Sequence, residues 1–426
     1  MPLGGMLEQL YARRRFGIRP GVDMVRLLLD RLGNPERSFR SIHVVGTNGK
    51  GSTSAFLAGI LNASGLRTAL FTSPHLVSFN ERFRINGREI SDQRLEELLP
   101  AVLAAAPDEA TFFEIVTALA AVYFSEGHAD VAVMEAGMGG RSDATAAIPG
   151  IMTVITPISL DHCNYLGATA ADIAAEKAGI AEADTPVIIG HQSEEVQNAI
   201  RNCLPLTRHP MMVWTDSVVS ARWNDDGTLD YRGIHLALEQ LTPGIRGRYQ
   251  AENAALALAA AENLAQSGIH LPPKALRSGI SATQWPGRME LIPGDPPLLL
   301  DGAHNPAGAD ALAAALADFR FRRLLLVIGT VADKDVQKMV SVLAPLAATC
   351  YCVTPAIDRA LDDSHLAAVI TALGSRAVAC GSVATGIVTA RQDAGADDLI
   401  LVCGSLFTVG EAKAWLAGRD YQGIRG

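Results

Sequence analysis

The stretch Ser41-Ile42-His43-Val44-Val45-Gly46-Thr47-Asn48-Gly49-Lys50-Gly51-Ser52-Thr53 constrains this chain more than any other. A run rich in β-branched residues enters a loop with three glycines, and Lys50 follows the second of them before a helical pattern begins. Glycines let successive backbone N–H groups turn toward one point, a lysine adds a point charge, and the following helix presents its positive N-terminus. Strand, loop, lysine and helix in that order predict a phosphate cradle; the alternative is an ordinary Gly-rich strand-to-helix turn. The G-x-x-x-x-G-K-[ST] template would place glycine at Val44 and a hydroxyl at Gly51, so Ser52 and Thr53 are the nearest hydroxyls.

The cradle sets the fold around it. Phe56, Leu57, Ile60 and Leu61 make one apolar helical face, Gly65 stops that helix, and Thr68 to Thr72 reads as a buried strand. A β-loop-α-β opening implies a parallel pair with a right-handed crossover. Two short helices, near 7–15 and 22–32, precede it, separated by the breakers Phe16-Gly17-Ile18-Arg19-Pro20-Gly21. Strand-like runs at Val131–Met134, Met152–Ile155 and Val187–Ile189 alternate with helical segments near 111–125 and 169–180, and Val213 to Leu238 suggests a small antiparallel meander. Residues 249–266 return to a long helix.

The turn-rich stretch from Trp285 to Pro297 marks a boundary, giving expected domains 1–288 and 289–426. Beyond it, strands at 298–300, 324–328, 350–353, 376–379 and 399–402 alternate with helices. The fold class expected is therefore α/β: a P-loop-type ATP-binding parallel-sheet domain with a small antiparallel meander, then a C-terminal Rossmann-like α/β domain. A net charge of -9 argues against a nucleic-acid partner, because phosphate-backbone affinity comes from clustered Lys and Arg. Six cysteines without a CxxC pair fit a reduced, cytoplasmic setting. Met1 to Leu10 lacks a signal pattern and no apolar run is long enough to cross a bilayer, so no membrane partner is expected.

Ligands of open parallel sheets lie beyond the carboxyl ends of the strands. Three such ends carry Thr72-Ser73-Pro74-His75, Glu135-Ala136-Gly137-Met138-Gly139-Gly140-Arg141 and Ser159-Leu160-Asp161-His162. A bare carboxylate about 4 Å from a phosphate charge would cost roughly 4 kcal/mol at an effective dielectric near 20, and a divalent ion between them reverses the sign. Oxygen ligands with retained water suit Mg²⁺, with His an admissible partner. Glu176-Lys177 reads, on chemistry alone, as a solvated helical ion pair. Asp301-Gly302-Ala303-His304-Asn305-Pro306 opens a helix after the first strand of the second domain, where Asn305 serves as a cap, a functional group, or both.

The motifs taken together resemble folylpolyglutamate synthase and its relative dihydrofolate synthase, within the Mur ligase superfamily. The resemblance runs through GTNGKGS at 46–52, TSPHL at 72–76, NERFRING at 80–87, EAGMGGRSDAT at 135–145, LDH at 160–162, EKAGI at 176–180, ENAALA at 252–257, WPGRME at 285–290, DGAHNP at 301–306 and CGSLF at 403–407. It implies an ATP-dependent amide ligase adding L-glutamate to the γ-carboxylate of a reduced folate; a monomer is expected. By the same resemblance Thr47, Asn48, Gly49, Lys50, Gly51 and Ser52 hold ATP phosphates, and Asn253, Arg288 and Asp301 complete the nucleotide site. Ser73, Glu135 and His162 match the family's magnesium ligands, Lys177 the lysine that the family carbamylates, and His304 a group aligning phosphate or amino acid. Arg141 and Asp143 are expected at the folate, with Phe112, Phe113 and Glu114; the two phenylalanines stack on a pterin or are plain helix core.

Two departures qualify the acceptor. Ala146 stands where many relatives carry Asn, and Gly17-Ile18-Arg19-Pro20 lacks the acidic residue associated with dihydropteroate binding in bifunctional members. Polyglutamylation is thus expected ahead of dihydropteroate ligation. A cell-wall Mur ligase would carry a UDP-substrate domain ahead of the cradle, and only 45 residues precede Gly46. A nucleotide-switched binding protein would need the cradle but neither folate nor glutamate.

Overall fold

The computed structural model describes residues 3–13, 21–209, 211–332, 334–421 and 423. Helices Leu3–Tyr11 and Asp23–Arg31 precede the first strand. The breaker run between them, including the Gly17-to-Pro20 stretch expected at the folate, lies outside the described residues apart from Gly21.

Strands β1 (Arg40–Val45), β2 (Thr68–Phe71), β3 (Phe83–Ile85), β4 (Arg88–Glu89), β5 (Val131–Glu135), β6 (Gly150–Ile155), β7 (Val187–Ile189) and β8 (Met212–Trp214) form one sheet. Their order is β4-β3-β2-β5-β1-β6-β7-β8. All pairs are parallel except the β2-β3-β4 edge. Side chains alternate across a strand, and here both faces are covered: Val131 and Val133 of β5 enter one core while Ala132 and Met134 enter another. Val44 pairs with Glu135 on one side and Val154 on the other. The loops after β1, β5 and β6 therefore leave the sheet at one level, which is what gathers the site.

The helix Lys50–Ala63 that follows β1 is apolar nearly all round, with Phe56, Leu57, Ile60 and Leu61 fully buried. Such a helix needs cover on its outer side. Helices Gln250–Asn263 and Pro273–Ala282 supply it. Gly59 and Gly279 meet at the second crossing, where a Cβ on Gly279 would strike the backbone of Ile60.

The meander expected over Val213 to Leu238 divides in two. Met212–Trp214 pairs parallel to β7 and extends the main sheet, because Val213 belongs to that sheet's core. The antiparallel sheet is instead β9 (Ser220–Trp223), β10 (Leu229–Arg232) and β11 (Ala237–Leu241), in the order β11-β10-β9. Tyr231 Oη donates to Glu262 Oε1 at 2.6 Å and fastens this sheet to helix Gln250–Asn263.

A second sheet contains β12 (Glu290–Ile292), β13 (Leu298–Leu300), β14 (Leu324–Ile328), β15 (Thr349–Cys352), β16 (Ala377–Ala379) and β17 (Leu399–Cys403). Its order is β12-β13-β17-β14-β15-β16, parallel throughout except for β12, an edge strand with no counterpart in the sequence reading. Separate cores cover its two faces. Among the described residues no helix is long and apolar enough to cross a membrane.

Candidate active site

The phosphate loop is laced to the loop after β6. Thr47 N and Asn48 N donate to Pro157 O at 3.0 and 3.2 Å, and Thr47 Oγ1 donates to Ser159 O at 3.0 Å. Gly49 takes φ +87°, a left-handed conformation that glycine adopts without strain, and a Cβ there would collide with Asn253 Oδ1. Lys50 begins the helix, and its Nζ donates to Gly46 O and Thr47 O, both at 3.2 Å. The ammonium thus folds over the carbonyls of its own loop. Ser52 is buried in the first helical turn, and Gly51 lies against the Trp285 indole.

The second sheet faces this loop. Asn305 Nδ2 donates to Asn48 Oδ1 at 3.0 Å, while Asn305 Oδ1 accepts Gly308 N at 2.8 Å, so Asn305 is both a helix cap and a link between the two halves. Asp301 is buried and accepts Tyr249 Oη at 2.7 Å, Met289 N at 3.0 Å and Ala303 N at 2.9 Å. The Arg288 guanidinium lies against Gly302, and Asn253 donates to Gln250 Oε1 at 2.8 Å. Arg288 and Asp301 therefore stand at the seam between the halves, while Asn253 lies against Gly49 of the phosphate loop.

Glu135 ends β5, is 5% exposed, and accepts Ser73 N at 3.1 Å. Burial raises its pKa, opposed by Lys50, the Ser73 N–H, Arg288 and Arg82. A carboxylate in this position gains from a cation. His162, in the loop after β6, keeps 40% of its side chain exposed. Dehydration within the cleft lowers its pKa to about 4, with Lys334 and Lys50 adding to the effect against the pull of Asp161. The ring is accordingly neutral at pH 7. Among the described residues no three His, Cys, Asp or Glu side chains form a metal cage. A hydroxyl, a carboxylate and an imidazole suit a magnesium ion shared with phosphate oxygens and water better than one held by protein alone.

Asp161, unassigned in the sequence reading, joins the two halves. Lys334 Nζ donates to its Oδ1 at 2.5 Å, and His304 Nε2 lies 3.7 Å from its Oδ2. Burial raises the Asp161 carboxyl, but His304 and Lys334 outweigh that and hold it well below the usual carboxylate range. His304 Nδ1 pairs with Gly302 O at 2.9 Å. The signal was present in the charged residues following two strand ends, yet the partners are separated by 173 positions.

Glu176 and Lys177 do not form a solvated ion pair. Glu176 Oε1 accepts Ser142 N at 2.9 Å and anchors the 137–142 loop, while Lys177 is 4% exposed. Burial, then the charge of Lys50, lowers the Lys177 pKa from 10.5 to about 7 against Asp143, Asp161 and Glu176.

The residues expected at the folate are not equally available. Phe112 is 2% exposed, stacked on Tyr11 at 5.6 Å, with the Arg82 guanidinium 5.3 Å from its ring. It is helix core and offers no free face. Glu114 Oε2 accepts Thr111 N and Oγ1 at 2.7 and 2.8 Å in a capping box, and Asp143 accepts Thr145 N and Met138 N, both at 2.9 Å. Arg141 is exposed beside Cys203. Only Phe113 combines partial exposure with a place against Gly137 of the strand-end loop. A cleft at Gly51 of the phosphate loop is lined by Ser73, His75, Arg84, Glu135, Trp285 and Arg288, among others, and by none of these five residues.

Two family models match the chain: the Mur ligase middle domain over residues 44–261 and the Mur ligase glutamate ligase domain over residues 287–406. A Mycobacterium tuberculosis protein named dihydrofolate synthase/folylpolyglutamate synthase is 36% identical, across 98% of this chain and 93% of that protein. An Escherichia coli protein of the same name is 32% identical across 96% and 94%. The chain spans 49% of a Haloferax volcanii relative, named a probable bifunctional folylpolyglutamate synthase/dihydropteroate synthase, at 36% identity over 95% of this chain. Among solved structures, M. tuberculosis folylpolyglutamate synthase complexed with ADP superposes with TM-score 0.90 at 35% identity, covering 99% of both chains. The bifunctional folylpolyglutamate synthase/dihydrofolate synthase of Yersinia pestis, complexed with AMPPNP and Mn ion, gives 0.87 at 30% identity over 98% of both.

Proposed function

We propose, since this chain belongs to the folylpolyglutamate synthase/dihydrofolate synthase family of Mur ligases, that it adds L-glutamate to the γ-carboxylate of a reduced folate, consuming ATP. The observation that carries this reading is the seam itself: a phosphate loop on one sheet meets Asn305, His304 and Lys334 on the other through Asn48 and Asp161. The division at 288/289 is part of the proposal, supported by β12 starting at Glu290 and joining the second sheet. A reducing cytoplasm is proposed too, supported by six cysteines all present as free thiols; a monomer is proposed alongside it.

In this mechanism Thr47 to Ser52 hold the ATP phosphates, and Lys50 exchanges its two loop carbonyls for the γ-phosphate. Asn253, Arg288 and Asp301 close the nucleotide site. Ser73, Glu135 and His162 would hold magnesium, which supplies charge neutralisation on the phosphates. The folate carboxylate oxygen attacks the γ-phosphorus, the bond to ADP breaks, and an acyl phosphate forms. The glutamate amine then attacks the acyl carbon, loses a proton, and inorganic phosphate leaves. Lys177, neutral in part near pH 7, has the free amine that carbamylation requires. Phe113 is the ring best placed for a pterin.

Dihydropteroate is a second acceptor to consider, because the M. tuberculosis and E. coli relatives carry the dihydrofolate synthase name as well. Phosphate release from ATP and glutamate, measured with tetrahydrofolate, with dihydropteroate and with neither, separates the readings. Stimulation by tetrahydrofolate is expected, and Lys50→Ala should remove it while leaving the circular dichroism spectrum unchanged. Hydrolysis indifferent to both acceptors sinks the ligase reading, and turnover of UDP-linked peptides would favour a cell-wall ligase instead.

A further inference from the structure

Side chains alternate along β3: Phe83 and Ile85 enter one core, so Arg84 between them faces the other way. There its guanidinium carbon lies 5.2 Å from the centre of the Trp285 ring. Trp285 begins the link between the halves, and a Cβ on Gly51 of the phosphate loop would stand 2.9 Å from its indole nitrogen. One ring therefore spans from the phosphate loop to Arg84. Both Arg84 and Trp285 line the cleft at Gly51, together with Ser73 and Glu135 of the first half and Leu406 of the second.

The basic side chains lining this cleft are His75, Arg84 and Arg288, and their contacts separate them. His75 Nδ1 accepts Arg82 Nε at 2.9 Å and its Nε2 faces Gly423 O at 3.4 Å, so both ring nitrogens are engaged. Arg288 lies against Gly302 and is assigned to the nucleotide above. Arg84 keeps donors in reserve. Its Nε donates to Glu81 O at 3.4 Å and its Nη2 to Glu89 Oε1 at 2.9 Å, its cross-strand partner on β4. Nη1 has no hydrogen-bond partner among the described residues, and the contact with Trp285 engages the charge without consuming an in-plane N–H. The side chain is only 14% exposed, so strand pairing and the indole hold the fork in place while one nitrogen stays open. The carboxylates nearby are committed elsewhere. Glu81 accepts Leu76 N, Val77 N and Ser78 N at 2.7, 2.9 and 2.8 Å, and Glu135 accepts Ser73 N beside the proposed magnesium position.

The acceptor of the proposed reaction ends in a glutamate with two carboxylates. The γ-carboxylate goes to the phosphate, at the corner of the cleft that holds Ser73 and Glu135. The α-carboxylate, two methylenes and the α-carbon away, takes no part in the chemistry and stays charged. Moving such a charge from water into a cleft is costly without a partner. We propose that Arg84 binds this unreacting α-carboxylate and so sets a preference for acceptors that already carry glutamate; this rests on the ligase reading above. A guanidinium is the side chain suited to a carboxylate at a partly dehydrated site. Dihydropteroate has only the carboxylate that reacts, so it gains nothing from Arg84. Every folate keeps one terminal α-carboxylate however many glutamates it has received, and the same contact serves each round of extension.

The test compares tetrahydrofolate with tetrahydropteroyl-γ-aminobutyrate, which keeps the γ-carboxylate and lacks the α-carboxylate. ADP release at saturating ATP and L-glutamate gives KM for tetrahydrofolate, and competition against it gives Ki for the analogue, in the wild type, Arg84→Met and Arg84→Lys. The wild type is expected to hold tetrahydrofolate about tenfold or more tightly than the analogue. Arg84→Met should raise KM for tetrahydrofolate by about that factor while Ki for the analogue and KM for ATP stay within about twofold. Arg84→Lys should recover part of the loss. An unchanged KM for tetrahydrofolate, or equal losses for both compounds as a general disturbance of the cleft would give, overturns the assignment. Equal affinity of the wild type for the two compounds overturns it without any variant. A wild type whose ADP release ignores tetrahydrofolate and glutamate overturns the ligase reading as well.

Discussion

Lys177 sits at 4% exposure among charges that include Lys50, and burial followed by that like charge lowers its pKa from 10.5 to about 7. The unfolded chain keeps a proton that the folded chain sheds between those values, so this residue makes stability rise with pH across the window. Below about pH 7 the full cost, on the order of a few kcal/mol, is carried. Lys177→Met, in carbonate-free buffer, should therefore raise the melting temperature most near pH 6 and progressively less toward about pH 10, while activity is lost. A lower melting temperature at the acid end would contradict the burial cost. The residue also shows where reading a sequence stops: adjacent Glu and Lys look like a surface pair until the 137–142 loop is seen covering them.

At the scale of elements, the interior parallel strands were legible because runs such as Val131 to Met134 are apolar on both faces. The edge strands β3, β4 and β12 are two or three residues long and carry charge, so nothing in their pattern separates them from loop. Strand ends disclosed the candidate ligands by position alone, whereas Phe112 and Phe113, adjacent on one helix, could not be sorted into core and cleft without the packing of Tyr11 and Gly137. The helix following the phosphate loop depends on close approach at Gly59 and Gly279. Gly279→Val should lower stability by about 1–3 kcal/mol through overpacking, read as a reduced urea midpoint. A midpoint equal to wild type would mean that the crossing yields without strain.

At the scale of the molecule, the loops at the carboxyl ends of the two sheets' strands meet, with charge between them. Lys334, only 12% exposed, reaches from the second sheet to Asp161 on the first. Removing one partner of such a pair strands the other charge. Lys334→Met is expected to give a larger radius of gyration in small-angle scattering of the nucleotide-free protein, together with slower turnover. Identical scattering would show that Asn48, Asn305 and the connection from Trp285 to Asp301 suffice to keep the halves together. That connection has its own fixed point. Asp301 collects donors from Tyr249 on one half, Met289 in the link and Ala303 on the other. One carboxylate thus acts as a rivet, fastening the first half, the link and the second half at a single buried point.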